Sequence, residues 1–224
     1  MRRMRMFHGD RLGFNRERLL LYAVTDRGSR GLEPFLEQIE EALRGGVTMV
    51  QLREKELSGE ELVREAVLVR ELCHRYGVPL IVNDDVDAAL LSGADGVHLG
   101  LEDAPVSQVR RRCGADFIIG ATAKTVEQAR AAFVAGADYL GVGAVFPSPT
   151  KKNAVRITAE ELERICRSVP VPAVAIGGIS PENVGELAGG GMDGIAVVSA
   201  LFGAEDVRRA AAELKERARE VVGQ

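Results

Sequence analysis

The chain has 224 residues, of which 46% are hydrophobic and 28% charged, with a formal net charge of -4. That length suits one α/β barrel, and the composition excludes a disordered or collagen-like chain. The mild acidity excludes a general attraction to nucleic acid or to an anionic membrane, so small-molecule partners are expected and phosphate binding must come from local groups.

The first eighteen residues, MRRMRMFHGDRLGFNRER, are basic and irregular. They lack the roughly 7–15-residue apolar core of a signal peptide, and no run approaches the ~18 apolar residues of a membrane span. The expectation is a cytoplasmic protein with a frayed or weakly helical extension at 1–18 and a barrel at 19–224. Cys73, Cys113 and Cys166 are widely spaced with no CxxC pairing, which fits buried thiols in a reducing compartment.

From Leu19 onward, short β-branched and aliphatic runs alternate with segments of helical period, the pattern of repeated βα units. The strands are predicted at Leu19–Thr25, Thr48–Leu52, Leu80–Asn83, Gly96–Leu99, Phe117–Ala121, Tyr139–Val142, Ala173–Ile176 and Gly194–Val198. Eight strands indicate an α/β fold built as a single (β/α)8 TIM barrel. The clearest helix covers Glu60–Tyr76, where Leu62, Ala66, Val69, Cys73 and Tyr76 recur at three- and four-residue steps before Gly77 and Pro79. Capping-box spacings place helix starts at Ser58, Thr125 and Thr158. The phrases AALLSGADGVHLG, AAFVAGADYLGVG and ELAGGGMDGIAVV repeat one logic: small residues end a helix and an Asp-containing turn enters the next strand. A doubly wound open sheet is the alternative fold, but no GxGxxG follows the first strand.

Catalytic groups of such barrels lie at the C-terminal strand ends. The second strand runs into Gln51, Arg53 and Lys55, which alternation turns to one side if the extended conformation persists, converging an amide and two cations on an anion. Asp84 and Asp103 follow the third and fourth strands, and two hard carboxylates on neighbouring strands suit Mg2+ completed by water and substrate phosphate. Zinc is disfavoured because there are only three histidines and none forms a ligand pair. Asp85 or Asp87 is expected to cap the next helix. His98 reads as a packed, hydrogen-bonded residue, the alternative being an acid or base beside the metal. Thr122 and Lys124 end the fifth strand. After the sixth, a loop combines two prolines, Ser148, Thr150, Lys151 and Lys152, which suits phosphate. Gly177-Gly178 and Val198-Ser199 follow the last two strands, where barrels often bind phosphate through backbone N–H groups.

Taken in order, LYAVTDR, VQLREK, LIVNDD, VHLGLED, GATAK, VGAVFPSPTKK, AIGGI and VVSAL resemble the thiamine phosphate synthase family across nearly the whole barrel. The resemblance implies a Mg2+-using transferase that joins hydroxymethylpyrimidine diphosphate to thiazole phosphate, releasing pyrophosphate, with a pyrimidinylmethyl cation on the path. It implies Asp84 and Asp103 as Mg2+ ligands. Gln51, Arg53, Lys55, Asn83, Thr122 and Lys151 match the pyrimidine diphosphate contacts, with Arg53, Lys55 and Lys151 neutralising the leaving group. Ser148, Thr150, Gly178, Val198 and Ser199 match the thiazole phosphate contacts. The chain departs from the family at Thr122 (usually Ser), Lys124 (often His), Leu101 (often Gln) and Ser148 (the first Thr of TxT). A tautomerase-like isomerase of the same fold would carry a catalytic His where Lys124 stands; a non-catalytic, precursor-binding regulatory barrel is the other alternative. A homo-oligomer is compatible with all three.

Overall fold

The computed structural model describes residues 14–147 and 156–223. Eight parallel strands form a closed barrel in sequence order: β1 (Leu21–Val24), β2 (Met49–Leu52), β3 (Leu80–Asn83), β4 (Gly96–Leu99), β5 (Ile118–Ala123), β6 (Tyr139–Gly143), β7 (Ala173–Ile176) and β8 (Gly194–Val197). The ring shuts where Leu21–Ala23 run beside Ile195–Val197. The fold is thus a (β/α)8 barrel, and all eight expected strands are present. β5 runs two residues past its expected end.

Around the barrel lie α1 (Leu32–Arg44), α2 (Gly59–Arg75), α3 (Val86–Ser92), α4 (Val106–Cys113), α5 (Val126–Ala135), α6 (Ala159–Arg167), α7 (Ser199–Phe202) and α8 (Val207–Val222). Between β7 and β8 a single 3-10 turn, Val184–Leu187, replaces a full α-helix. Thr125 and Thr158 accept hydrogen bonds from the backbone N–H groups of Gln128 and Glu161, as a capping box requires. Ser58 does precede α2, but its hydroxyl makes no cap bond. Asp85 is the acidic cap of α3, accepting from Ala88 N–H. Cys73 and Cys166 are buried, whereas Cys113 is only half-buried at the end of α4.

Strand residues alternate between two cores. Leu21, Val50, Leu52, Leu80, Val82, Ile119 and Leu140 face outward and join helix residues such as Phe35, Ile39, Val69, Leu162 and Leu214. Leu19, Tyr22, Val24, Met49, Ile81, Tyr139, Val174 and Ala196 fill the interior. Burial on both faces explains why the strands read as continuous apolar runs rather than as alternating ones.

The repeated Asp phrases have one structural meaning at the N-terminal mouth. Asp95, Asp138 and Asp193 each precede an even-numbered strand and accept an N–H from the start of the odd strand before it, the first residue of β3 and β7 and the second of β5: Leu80 N at 2.8 Å, Ile119 N at 2.7 Å and Ala173 N at 2.9 Å. Thr48 does the same for Leu21 N at 2.9 Å. Each latch residue's own N–H returns a bond to that strand residue, from 2.7 to 2.9 Å. Four quarters of the barrel therefore begin with the same two-bond clasp, which supplies the strand edges with partners that α-helical neighbours cannot offer. The carboxylates have basic companions: His74 for Asp95, Arg110 for Asp138 and Arg16 for Asp193.

Of the expected frayed or weakly helical extension at 1–18, residues 1–13 lie outside the described residues and the rest is docked, with a 3-10 turn at Arg16–Leu19 as its weak helix. Asn15 caps the 3-10 turn Arg16–Leu19, Arg16 also reaches Pro170 O at 2.7 Å, and Phe14 stacks on Tyr139 with ring centroids 5.6 Å apart. Phe14 thereby packs against the interior cluster of the barrel.

Candidate active site

The C-terminal mouth collects the polar residues expected there. β2 ends at Leu52, and the next residues leave the extended conformation: Glu54 Oε1 accepts from Lys55 N at 2.8 Å and from Glu56 N at 3.3 Å, forming a bend. The alternation of Gln51, Arg53 and Lys55 therefore does not continue to Lys55, which is exposed, while Arg53 is half-buried and Gln51 is 4% exposed inside the barrel. Arg53 is held by its backbone, whose N–H donates to the buried Thr25 hydroxyl at 2.9 Å. A second contact not foreseen from sequence braces the β1–α1 loop: Arg27 pairs with the buried Glu65 of α2 at 2.5 Å. Burial pushes the Glu65 carboxyl above its usual range despite that cation.

Asp84 and Asp103 are brought together over β3 and β4. Asp84 adopts a left-handed backbone with φ of 62°, tolerated by Asp more readily than by most residues and often found at functional sites. Its N–H donates to His98 O at 2.9 Å, and Asn83 Nδ2 donates to its carboxylate at 2.6 Å. Asp103 turns back so that Gly100 N–H donates to it at 2.6 Å. Partial burial, and then the neighbouring Asp103 carboxyl, raise Asp84 to about 6, opposed by Asn83 and by the charge of Arg53. Two carboxyls that repel one another in this way form a donor set that a cation relieves. Among the described residues no group of three or more His, Cys, Asp or Glu side chains gathers to hold a metal. A pair of hard oxygen ligands on a solvent-facing rim fits Mg2+, which keeps water and substrate oxygens, better than Zn2+.

Beneath this rim a polar chain crosses the barrel. Gln51 Nε2 donates to Tyr22 OH at 2.7 Å, and the Tyr22 and Tyr139 hydroxyls are 2.8 Å apart. Tyr139 OH lies 3.1 Å from His98 Nδ1, and His98 Nε2 lies 3.1 Å from Thr122 Oγ1. His98 is thus the packed, hydrogen-bonded residue expected from sequence. Burial pushes its imidazole down to about 4, against a weaker opposing pull from Asp103, so the ring is neutral. Gly120 makes room for the chain, since a Cβ there would overlap both Tyr139 and His98 Nδ1. The two tyrosines escaped the sequence reading; the available signal was the pair of inward glycines, Gly120 and Gly141, in neighbouring strands, which marks a close approach by other groups.

Gly178 follows β7 with φ of 66°, and a Cβ there would overlap the carbonyl of Pro147 in the β6–α6 loop. Asn183 Nδ2 donates to Gly178 O at 2.9 Å and its Oδ1 accepts from Ser180 N at 2.9 Å, bracing the turn. Glycine is therefore required here by packing, whatever it also does for a ligand. Val198 and Ser199 start the single-turn α7 beyond β8. Lys124 lies beyond β5, its N–H donating to Gln128 Oε1. Ser148, Thr150 and Lys151 lie outside the described residues.

A closed (β/α)8 barrel with paired carboxylates, cationic side chains and glycine turns at its C-terminal mouth has the arrangement of an enzyme of this fold, whose active sites lie at that end. The model of the family described as thiamine monophosphate synthase matches residues 21–201. The thiamine-phosphate synthase 2 of Streptococcus pneumoniae is 47% identical over 193 residues, covering 86% of this chain and 92% of that protein. The thiamine-phosphate synthase of Pyrococcus abyssi is 45% identical over 212 residues, covering 95% and 100%. The solved structure of a thiamine phosphate pyrophosphorylase from Pyrococcus furiosus superposes with a TM-score of 0.84 at 44% identity, covering 93% of this chain and 99% of that one. The chain belongs to the thiamine monophosphate synthase family and is a transferase of thiamine biosynthesis. Among the described residues no helix is long and apolar enough to cross a membrane.

Proposed function

We propose that the protein condenses hydroxymethylpyrimidine diphosphate with thiazole phosphate, giving thiamine phosphate and pyrophosphate in a Mg2+-dependent reaction in the cytoplasm. The observation that carries this reading is the Asp84–Asp103 pair, two mutually repelling carboxyls beside Arg53 at adjacent strand exits. Asp84 and Asp103 would hold the metal, which supplies charge neutralisation to the diphosphate. Arg53, Lys55 and Lys151 add positive charge where the leaving group develops its negative charge, so that no protein nucleophile is needed. Gln51, Asn83 and Thr122 bind the pyrimidine half. Ser148, Thr150, Gly178, Val198 and Ser199 bind the phosphate of the thiazole half.

The deciding experiment supplies both phosphorylated halves and follows thiamine phosphate formation with and without Mg2+. Product that requires both halves and disappears in excess chelator supports the reading. Full-rate synthesis in chelator removes the metal assignment; no synthesis with Mg2+ present removes the reaction itself.

A further inference from the structure

The five groups from Gln51 to Thr122 have a proton count that admits few arrangements. The Gln51 amide N–H donates to Tyr22 OH, so the Tyr22 oxygen accepts there and its own proton needs an acceptor. Tyr139 OH, 2.8 Å away, is the hydroxyl beside it. Once Tyr139 accepts from Tyr22, its proton goes to His98 Nδ1 at 3.1 Å. Neutral imidazole with an unprotonated Nδ1 carries its hydrogen on Nε2, which donates to Thr122 Oγ1 at 3.1 Å. In this sense every buried hydroxyl donates once and accepts once. If instead Tyr139 donated to Tyr22, the Tyr22 proton would be left without a partner in a buried site, at an energetic cost. The chain also has consequences at both ends. With Nε2 committed to Tyr22, Gln51 has its Oε1 available as an acceptor, whereas Thr122, accepting from His98, has its hydroxyl proton available as a donor.

We propose that Tyr22, Tyr139 and His98 are positioning residues that lock Gln51 as a hydrogen-bond acceptor and Thr122 as a donor toward the ligand. The site would then select a ring bearing a donor opposite Gln51, such as an exocyclic amine, together with an acceptor near Thr122. This rests on the reading that Gln51 and Thr122 contact the pyrimidine half. The lock is a coupling: reversing the amide at one end reverses every hydroxyl and the imidazole tautomer, and turns the Thr122 proton inward. A ligand with a carbonyl in place of the amine would have to reverse the whole chain or leave a polar pair unmatched.

Two measurements test it. In full-length protein carrying His8→Gln and His74→Gln, 15N NMR of the remaining His98 at neutral pH should show Nε2 protonated and Nδ1 bare. Protonated Nδ1, or an even mixture of tautomers, overturns the proposed direction, and this reading needs neither catalysis nor a change within the chain. The second measurement compares wild type with Tyr139→Phe and Tyr22→Phe. Each variant should raise KM for the pyrimidine diphosphate about five- to tenfold, the scale of one misoriented hydrogen bond, with kcat and the thiazole phosphate KM within about twofold. Inhibition by the unreactive aminopyrimidine alcohol and by its oxo counterpart should show the preference for the amine falling by a similar factor. The double variant should lose little more than either single one, because both cut the same chain. An unchanged preference, or equal KM changes for both substrates, overturns the positioning role. Failure of wild-type turnover would overturn the proposed reaction instead, and the tautomer would still report on the chain.

Discussion

The two mouths of the barrel are built on opposite principles. At the N-terminal mouth each charged group finds its partner within the protein: Asp138 takes Ile119 N–H and Arg110, and Arg110 also donates to Gly114, Phe117 and Gly136 carbonyls. At the C-terminal mouth two carboxyls face each other, Asp84 is pushed up to about 6, and Arg53 and Lys55 make no ion pair with any described residue. The first end is satisfied in the folded chain alone. The second leaves, among the described residues, a raised carboxyl beside another and two cations without an ion pair, at the end of the barrel where this fold carries its active sites.

The largest test of that contrast is at the rim. Asp84→Asn or Asp103→Asn, which keep an acceptor oxygen and at Asp84 a residue that tolerates the left-handed backbone, should lower kcat a hundredfold or more, about 3 kcal/mol of transition-state stabilisation. Thermal unfolding should stay at or slightly above the wild-type Tm, because a repulsion is removed. A rim variant that unfolds early, with normal kcat in its folded fraction, would break the contrast.

The mirror experiment is Asp138→Ala. Asp138 and Arg110 are 13% and 15% exposed, so breaking the pair leaves a largely buried cation and an unclasped Ile119 N–H. A loss of about 3 kcal/mol in urea unfolding is expected, with kcat unchanged well below the Tm. Between the two ends, His98 makes a pH prediction. Its imidazole is held down to about 4 in the folded barrel but titrates near 6.5 when unfolded. The unfolded chain therefore binds the extra proton first, and stability contributed above pH ~6.5 is lost as the pH falls toward 4, on the order of 3 kcal/mol in total. Denaturation of wild type and His98→Asn across that window should differ in slope, the variant being flatter; parallel curves would contradict a neutral His98. The smallest effect is expected at the one uncharged latch. Thr48→Val removes the Oγ1 acceptor of Leu21 N–H and should cost about 1 kcal/mol without altering either KM.

Reading the chain in order recovers the strands because a strand buried on both faces must be apolar, and Leu80–Asn83, Gly96–Leu99 and Ala173–Ile176 coincide with the expected bounds. The caps at Thr125 and Thr158 are equally local, a hydroxyl three residues from the N–H it serves. Ser58 has the same spacing and makes no such bond, since a short motif permits a contact without enforcing the rotamer. The expected sweep of Gln51, Arg53 and Lys55 along one side failed for the same kind of reason: Glu54 can close a bend on its own neighbours, and the strand ladder ends before it.

What the sequence by itself determined is the barrel, its order, and the polar residues gathered at the strand exits, because period, turn chemistry and strand-end position are properties of neighbouring residues. Only the tertiary structure decided which of those residues meet. Asp84 and Asp103 interact across two strands, Asp95, Asp138 and Asp193 became latches, and Tyr22 joined Tyr139 from the opposite side of the barrel, 117 positions away. Those pairings are set by ring closure and strand register, which bring distant positions to hydrogen-bond distance and leave no trace in local spacing.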